Sequence, residues 1–370
     1  MRLVAAAAII LLAACGSRAV EGSVPSGPLG ISPPPTAAAA TPIASGAPGR
    51  TVAFPDLAVF VGTSSGDVYS QLRGGQPAGP KVHVCDGFVV RIEVAGGSSA
   101  LVSCIAGSSF AVFTYDHRTG AVARVVGVDG PAIWADATNP GDAIIYVTRG
   151  ACAPAATDCA QRLVRRDMKT GTATVIDERV GVVTDFQFTA EGPTIWRAKV
   201  TATYTRPEAE VGTYLLRGTT LTRFSAQRLV AGSKGRWLLE SEETLSFNSG
   251  CCSYVVYRSQ SESRVTPPEV PNERAVTMLS DGRSLAFRPE GDGPRGSMVV
   301  YPNGGGTPER TDRGTFLTFR TLSFEQPGWI LGMAYAGTVP LTVYAYRIAD
   351  GAFAETTLID GTALAGVPAK

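Results

Sequence analysis

A turn flanked by two apolar runs returns along this chain at intervals of 42 to 51 residues. Its plainest copy is Leu279-Ser280-Asp281-Gly282-Arg283-Ser284-Leu285-Ala286-Phe287. Glycine supplies the positive φ of such a turn, and aspartate bonds to nearby backbone. Looser copies are Ala95-Gly96-Gly97 before Leu101, Asn139-Pro140-Gly141 before Ile144, and Glu191-Gly192-Pro193 before Ile195. Residues 232–235 precede Trp237, and Gln326-Pro327-Gly328 precedes Trp329-Ile330. With Leu101, Ile144, Ile195, Trp237, Leu285 and Ile330 as equivalents, the steps are 43, 51, 42, 48 and 45, and Leu57 makes a seventh member 44 residues earlier. A period of this length with several short strands per unit is the signature of a β-propeller blade. The expectation is an all-β fold, a single propeller over residues 51–370 with seven blades, six being the alternative. The ambiguity lies at residues 51–54, which either begin the first blade or complete the outer edge of the last.

The first residues follow another logic. Met1-Arg2 precedes an apolar run over residues 3–14, too short for a comfortable membrane span. One basic residue, an apolar segment and then small residues form a secretory signal pattern. It ends in Leu12-Ala13-Ala14-Cys15-Gly16, which resembles the lipobox of bacterial lipoproteins. That resemblance implies a signal over residues 1–14 and a lipid on Cys15, with an extracytoplasmic chain anchored to the cell membrane or cell surface. Residues 15–50 are alanine, proline, serine, glycine and threonine with few large apolar groups. Such a stretch buries too little surface to offset ordering entropy and reads as a disordered tether.

The formal charge is +1, and residues 51–370 alone hold 30 basic and 31 acidic residues. No basic block accompanies an aromatic stripe, so nucleic acid is not an expected partner. Besides Cys15 there are six cysteines, an even number that in an exported chain argues for disulfides. Local spacing suggests Cys85 with Cys104, Cys152 with Cys159, and Cys251 with Cys252. The last would be a strained vicinal ring, since adjacent α-carbons lie about 3.8 Å apart, below the usual disulfide range. The alternative is that each of these two pairs elsewhere.

From residue 51 onward, short β runs joined by turns dominate, and no helical period with caps is sustained. If the strands of a blade are A to D from axis to rim, the Asp-Gly-like turns join A to B. The turns Asp116-His117-Arg118-Thr119-Gly120, Asp167-Met168-Lys169-Thr170-Gly171 and Ala349-Asp350-Gly351 join C to D on the same face. The B-to-C connections fall on the opposite face and are long and varied: residues 148–161, 201–211, 240–253 and 288–297. Variable loops on a rigid scaffold commonly carry function. The candidate ligand or partner surface is therefore Arg149, Arg206, Glu240, Glu242, Glu243, Phe247, Cys251, Cys252, Arg288, Glu290, Asp292 and Arg295. Trp134, Trp196, Trp237 and Trp329 are expected to fill the gaps between blades.

Chemistry is sparse. The two histidines, His83 and His117, read as rim and turn residues, and His-rich metal sites are not expected. There is no G-x-S-x-G elbow and no phosphate loop, since Gly304-Gly305-Gly306 lacks the following lysine. No catalytic residue, metal or cofactor is assigned.

The Ser280-Asp281-Gly282 unit resembles the Ser-Pro-Asp-Gly units of TolB-like β-propellers, without their proline. The resemblance spans residues 51–360 by period, and the motif itself is strong in one unit. It implies a propeller and brings no catalytic set. The leading expectation is an anchored binding or scaffolding module, contacting membrane lipid through Cys15 and recognising another envelope protein or a polar or saccharide ligand. A carbohydrate-active or other polar-substrate enzyme using mouth carboxylates and a purely structural envelope lipoprotein are the alternatives.

Overall fold

In the computed structural model the chain divides into two units, residues 1–43 and 44–370. The structure describes residues 50–94, 99–107, 109–130, 132–135, 141–148, 162–178, 185–189, 192–197, 200–201, 204–205, 208–233, 236–240, 255–259, 273–289, 296–303, 306–314, 324–334 and 341–366, all in the second unit.

These residues form antiparallel sheets in chain order. The strands β1 (Val59–Thr63), β2 (Asp67–Arg73) and β3 (Gln76–His83) come first. The next sheet is β4 (Phe88–Val94), β5 (Ser99–Ala106), β6 (Ser109–Asp116) and β7 (Val122–Arg124). It is followed by β8 (Ala132–Trp134), β9 (Ala143–Thr148), β10 (Arg162–Asp167) and β11 (Ala173–Asp177). Then come β12 (Asp185–Thr189) and β13 (Gly192–Arg197), a small hairpin of β14 (Val200–Thr201) and β15 (Tyr204–Thr205), a 3-10 turn (Glu208–Glu210), and β16 (Gly212–Arg217) and β17 (Thr220–Ser225). A three-stranded sheet holds β18 (Arg228–Ser233), β19 (Arg236–Glu240) and β20 (Val255–Ser259). The last two are β21 (Arg274–Met278), β22 (Ser284–Pro289), β23 (Gly296–Tyr301) and β24 (Arg310–Gly314), then β25 (Phe324–Gln326), β26 (Trp329–Ala334), β27 (Leu341–Arg347) and β28 (Phe353–Leu358). The final strand, β29 (Gly361–Gly366), joins the first sheet in the order β29-β1-β2-β3.

Among the described residues the fold is an all-β propeller with six four-stranded blades, the lower of the two expected counts. The three-stranded sheet β18-β19-β20 follows the same antiparallel order between two of them. Leu101, Ile144, Ile195, Trp237, Leu285 and Ile330 all fall in second strands, so the 45-residue rhythm marks one structural position. Leu57 departs from it: it bridges Leu72, and the second strand of its sheet starts at Val59.

Ring closure is non-covalent. β29 pairs antiparallel with β1, with Phe60 opposite Ala365 and Val61 opposite Leu364. The N-terminal segment takes the outer edge of the last blade: Val52 N–H donates to Phe353 O at 2.9 Å, and Phe353 N–H donates to Arg50 O at 3.0 Å.

Strand periodicity explains why these strands read as apolar runs. Successive side chains point to opposite faces, and each sheet is covered on both. Val59 and Val61 pack with Leu331, Val343 and Leu364, whereas Phe60 packs with Val89, Val102 and Tyr115. Leu285 and Phe287 face Ile330, Tyr344 and Tyr346, whereas Ala286 faces Leu238 and Met278. Ile144 joins Leu101 and Trp134, whereas Ile145 joins Leu163 and Ile195. The core is thus a set of inter-blade layers. Trp134, Trp196 and Trp237 are buried, and Trp329 packs beside the first layer under the Arg347 guanidinium.

Polar clamps also join neighbouring blades. Arg310 donates to Asp312, to the Tyr346 hydroxyl and to the Ile348 carbonyl, and Tyr346 donates to the same carboxylate. The turn Asp350-Gly351 closes over this group. Gly351 has φ +73°, and a Cβ there would lie 2.4 Å from the Asp312 carboxyl carbon, so only glycine fits.

Candidate functional site

The topology sorts every connection. First-to-second and third-to-fourth turns lie at one end of the sheets, and second-to-third and blade-to-blade connections at the other. The turn end is built from repeated local bonds. Asp116 Oδ1 accepts the Arg118 and Thr119 amides, and Asp167 Oδ1 accepts those of Lys169 and Thr170. Gly282 N–H donates to Leu279 O in the turn between β21 and β22. His117 belongs to this end and packs edge-on against Phe60 at 5.6 Å.

The other end carries the long connections: residues 149–161, 198–211, 241–254 and 290–295. Arg149, Arg206, Glu242, Glu243, Phe247, Cys251, Cys252, Glu290, Asp292 and Arg295 lie outside the described residues, as do Cys152 and Cys159. Glu240 ends β19, paired with Arg228 on one side and Val255 on the other.

Arg288 is described in full and is not a free surface cation. It donates from Nε at 3.1 Å and Nη2 at 3.0 Å to Oε2 of Glu273, which immediately precedes β21. The other Glu273 oxygen accepts the Tyr301 hydroxyl at 2.5 Å. The Glu273 side chain is only 3% exposed. Burial pushes its carboxyl above the usual range, and the Tyr301 hydroxyl and Arg288 guanidinium oppose that shift. Burial first, then the nearby Glu273 charge, raises the Tyr301 phenol. The group ties three strands of one blade together. Glu273 has no local sequence signal, because its partner is 15 residues away on the next strand.

A second cluster sits at the end of the first described sheet. Asp67, with a side chain 5% exposed, receives Lys81 Nζ at 2.7 Å, Ser65 Oγ at 2.7 Å and His83 Nδ1 at 2.9 Å. Burial alone would raise this carboxyl, but the bonds from Lys81, Ser65 and His83 outweigh it and hold it at about 2. His83 Nε2 lies 3.3 Å from Asp86 Oδ1, and the two carboxylates raise the imidazole above 6.5, Asp67 contributing most. A raised folded pKa contributes stability below the unfolded value that is lost as pH rises through the folded one. NMR titration is expected to place His83 above 6.5 in the native protein and lower in Asp67→Asn. An unchanged midpoint in that variant would contradict the pairing.

The disulfide Cys85–Cys104 is present and staples the β3–β4 connector to β5. Gly66 makes this approach possible: its carbonyl accepts Val84 and Cys85 N–H, and a Cβ on it would lie 1.7 Å from the Cys85 carbonyl oxygen. Among the described residues, no group of three or more histidine, cysteine or acidic side chains could hold a metal, and no helix is long and apolar enough to cross a membrane.

No family model and no curated protein matches the chain. Solved structures with similar folds do. The uncharacterized protein lmo1340 from Listeria monocytogenes EGD-e is 12% identical with TM-score 0.51, over 85% of this chain and 97% of that one. A prolyl endopeptidase is 13% identical with TM-score 0.51, over 87% of this chain and 50% of that one. TolB from Acinetobacter baumannii is 9% identical with TM-score 0.45, over 84% of this chain and 66% of its own length. The chain spans less than two thirds of TolB and about half of the endopeptidase. At these identities the likeness shows the β-propeller fold alone, a scaffold generically suited to binding through its loops.

Proposed function

We propose that this protein is an extracytoplasmic, lipid-anchored binding or scaffolding module that recognises a protein or polar ligand through the long-connection end of its propeller. One observation carries the reading: the strand order gathers the three longest second-to-third connections, residues 149–161, 198–211 and 241–254, at one end of the ring, while no connection between described strands at the opposite end exceeds eight residues. A scaffold of inter-blade layers holds such loops at low entropic cost, which favours recognition. The lipobox-like Leu12-Ala13-Ala14-Cys15 supports membrane attachment through Cys15, and the even number of further cysteines, with Cys85 bonded to Cys104, supports an oxidising location.

The test has two arms. Mass spectrometry of the native protein is expected to find an acylated Cys15 at the amino terminus; an unmodified terminus well downstream would exclude the anchor. A screen against extracellular proteins and glycans is expected to give hits that disappear when Glu242, Glu243 and Phe247 are replaced together in a folded chain. Hits unchanged in that variant would remove the 241–254 connection from the site.

A further inference from the structure

The long-connection end is not uniform. In the sheet closed by β29 the second-to-third turn is only residues 64–66, and in the β4–β7 blade it is residues 107–108. This sector, the low sector, has the shortest second-to-third connections between described strands. It is also tightly knitted: Ser64 N–H donates to Asp360 O, Gly66 O accepts Val84 and Cys85 N–H, and the Cys85–Cys104 bond fixes the adjoining connector.

Four large apolar side chains are exposed among the described residues: Phe88 at 38%, Val126 at 72%, Val175 at 42% and Ile359 at 75%. Val175 lies within the outer strand β11. Ile359 and Val126 fall on blade-to-blade connectors and Phe88 is the first residue of β4, directly after the connector between them in ring order, all at the low sector. Each comes with an exposed aspartate: Ile359 with Asp360, Phe88 with Asp86, and Val126 with Asp129. Scattered exposed apolar residues need no explanation; the same apolar–acidic pairing on three consecutive connectors of one face does. Neighbouring cations are partly spoken for. Lys81 is held by Asp67, and His83 is shared between Asp67 and Asp86, while exposed Arg124 lies on β7.

We infer that this low sector is a docking surface for a protein partner, which presents apolar side chains flanked by lysine or arginine. The inference rests on reading this end as the binding face, and adds where the partner sits and what chemistry it brings. Charge complementarity selects the occupant. Three carboxylates beside apolar contacts favour a basic, apolar segment and oppose an anionic lipid surface. They also oppose a second copy docked on the same patch, which would set carboxylate against carboxylate.

The experiment places a photo-crosslinking phenylalanine derivative, one site at a time, at positions 88, 126 and 359 of the full-length protein in cells that naturally make it. Positions 119, on the turn end, and 242, in the long connection, serve as comparisons. The expected result is one protein captured from all three connector positions and not from 119, through a segment in which lysine or arginine flanks apolar residues. Replacing Asp86, Asp129 and Asp360 by lysine together should lower that yield about tenfold with the melting transition unchanged. Capture of lipid, of a second copy or of an acidic segment would overturn the inference, as would no capture or equal capture at 119. Capture from 242 alone would overturn it and leave the long-connection reading standing. Capture from the connectors alone would uphold it and remove the long connection.

Discussion

Deleting residues 361–370 is expected to abolish the cooperative melting transition of the propeller. β29 is the first strand of the closing sheet, and its pairing with β1 joins the two ends of the ring. Its Ala363 and Leu364 are buried in two different inter-blade layers. Removal would expose Val59, Phe60 and Val61, each 0% exposed, together with an unpaired strand edge. Their loss would consume a large share of the roughly 5–15 kcal/mol by which domains are stable. Because the truncated chain is expected to misfold, Leu364→Ala offers a graded check: a fully buried leucine truncated to alanine costs about 2–5 kcal/mol. A truncated chain that melts as the full one does would show that closure lies elsewhere.

The second large effect is expected from Glu273→Ala. The variant leaves Arg288 and the Tyr301 hydroxyl without their shared acceptor in a largely buried place. Breaking a buried pair from one side typically costs about 3–5 kcal/mol, because the remaining charge is uncompensated. Glu273→Gln keeps an acceptor for Tyr301 and should lose less, and combining Glu273→Ala with Arg288→Met should recover much of the loss. Chemical denaturation of the four proteins measures this directly. Equal stabilities for Glu273→Ala and the native protein would mean that the pair carries no structural load, leaving Arg288 available as a ligand contact.

The contrast between Arg288 and the 45-residue rhythm shows where sequence reasoning reached and where it stopped. Six second strands were legible because each follows a glycine turn and carries a buried apolar run, whereas β1 follows Pro55-Asp56-Leu57-Ala58 and was misplaced by two residues. First strands were less so, since β8 and β25 contain only three residues each. Closure by β29 was not legible: Val61 and Leu364 face each other from opposite ends of the chain, and no local pattern encodes such a pairing. Arg288 was recognisable as a charged residue beside a long connection, but its partner Glu273 is set by strand register. The connector pairs Asp86–Phe88, Val126–Asp129 and Ile359–Asp360 were missed because residue type does not reveal exposure. The Cys85–Cys104 pairing was readable because a nineteen-residue separation spans one β hairpin, which returns the chain beside its starting connector.

Both the long connections and the low sector assign recognition to one end of the propeller, and carboxyl footprinting in the intact envelope compares the two ends at once. Labelling of aspartate and glutamate side chains is compared between purified protein and cells. The account predicts that Asp86, Asp129, Asp360, Glu242 and Glu243 lose label in the envelope, while Asp142 and Glu309 of the turn end label equally in both. Protection of Asp142 and Glu309 instead, or equal labelling of every site in both preparations, would contradict it.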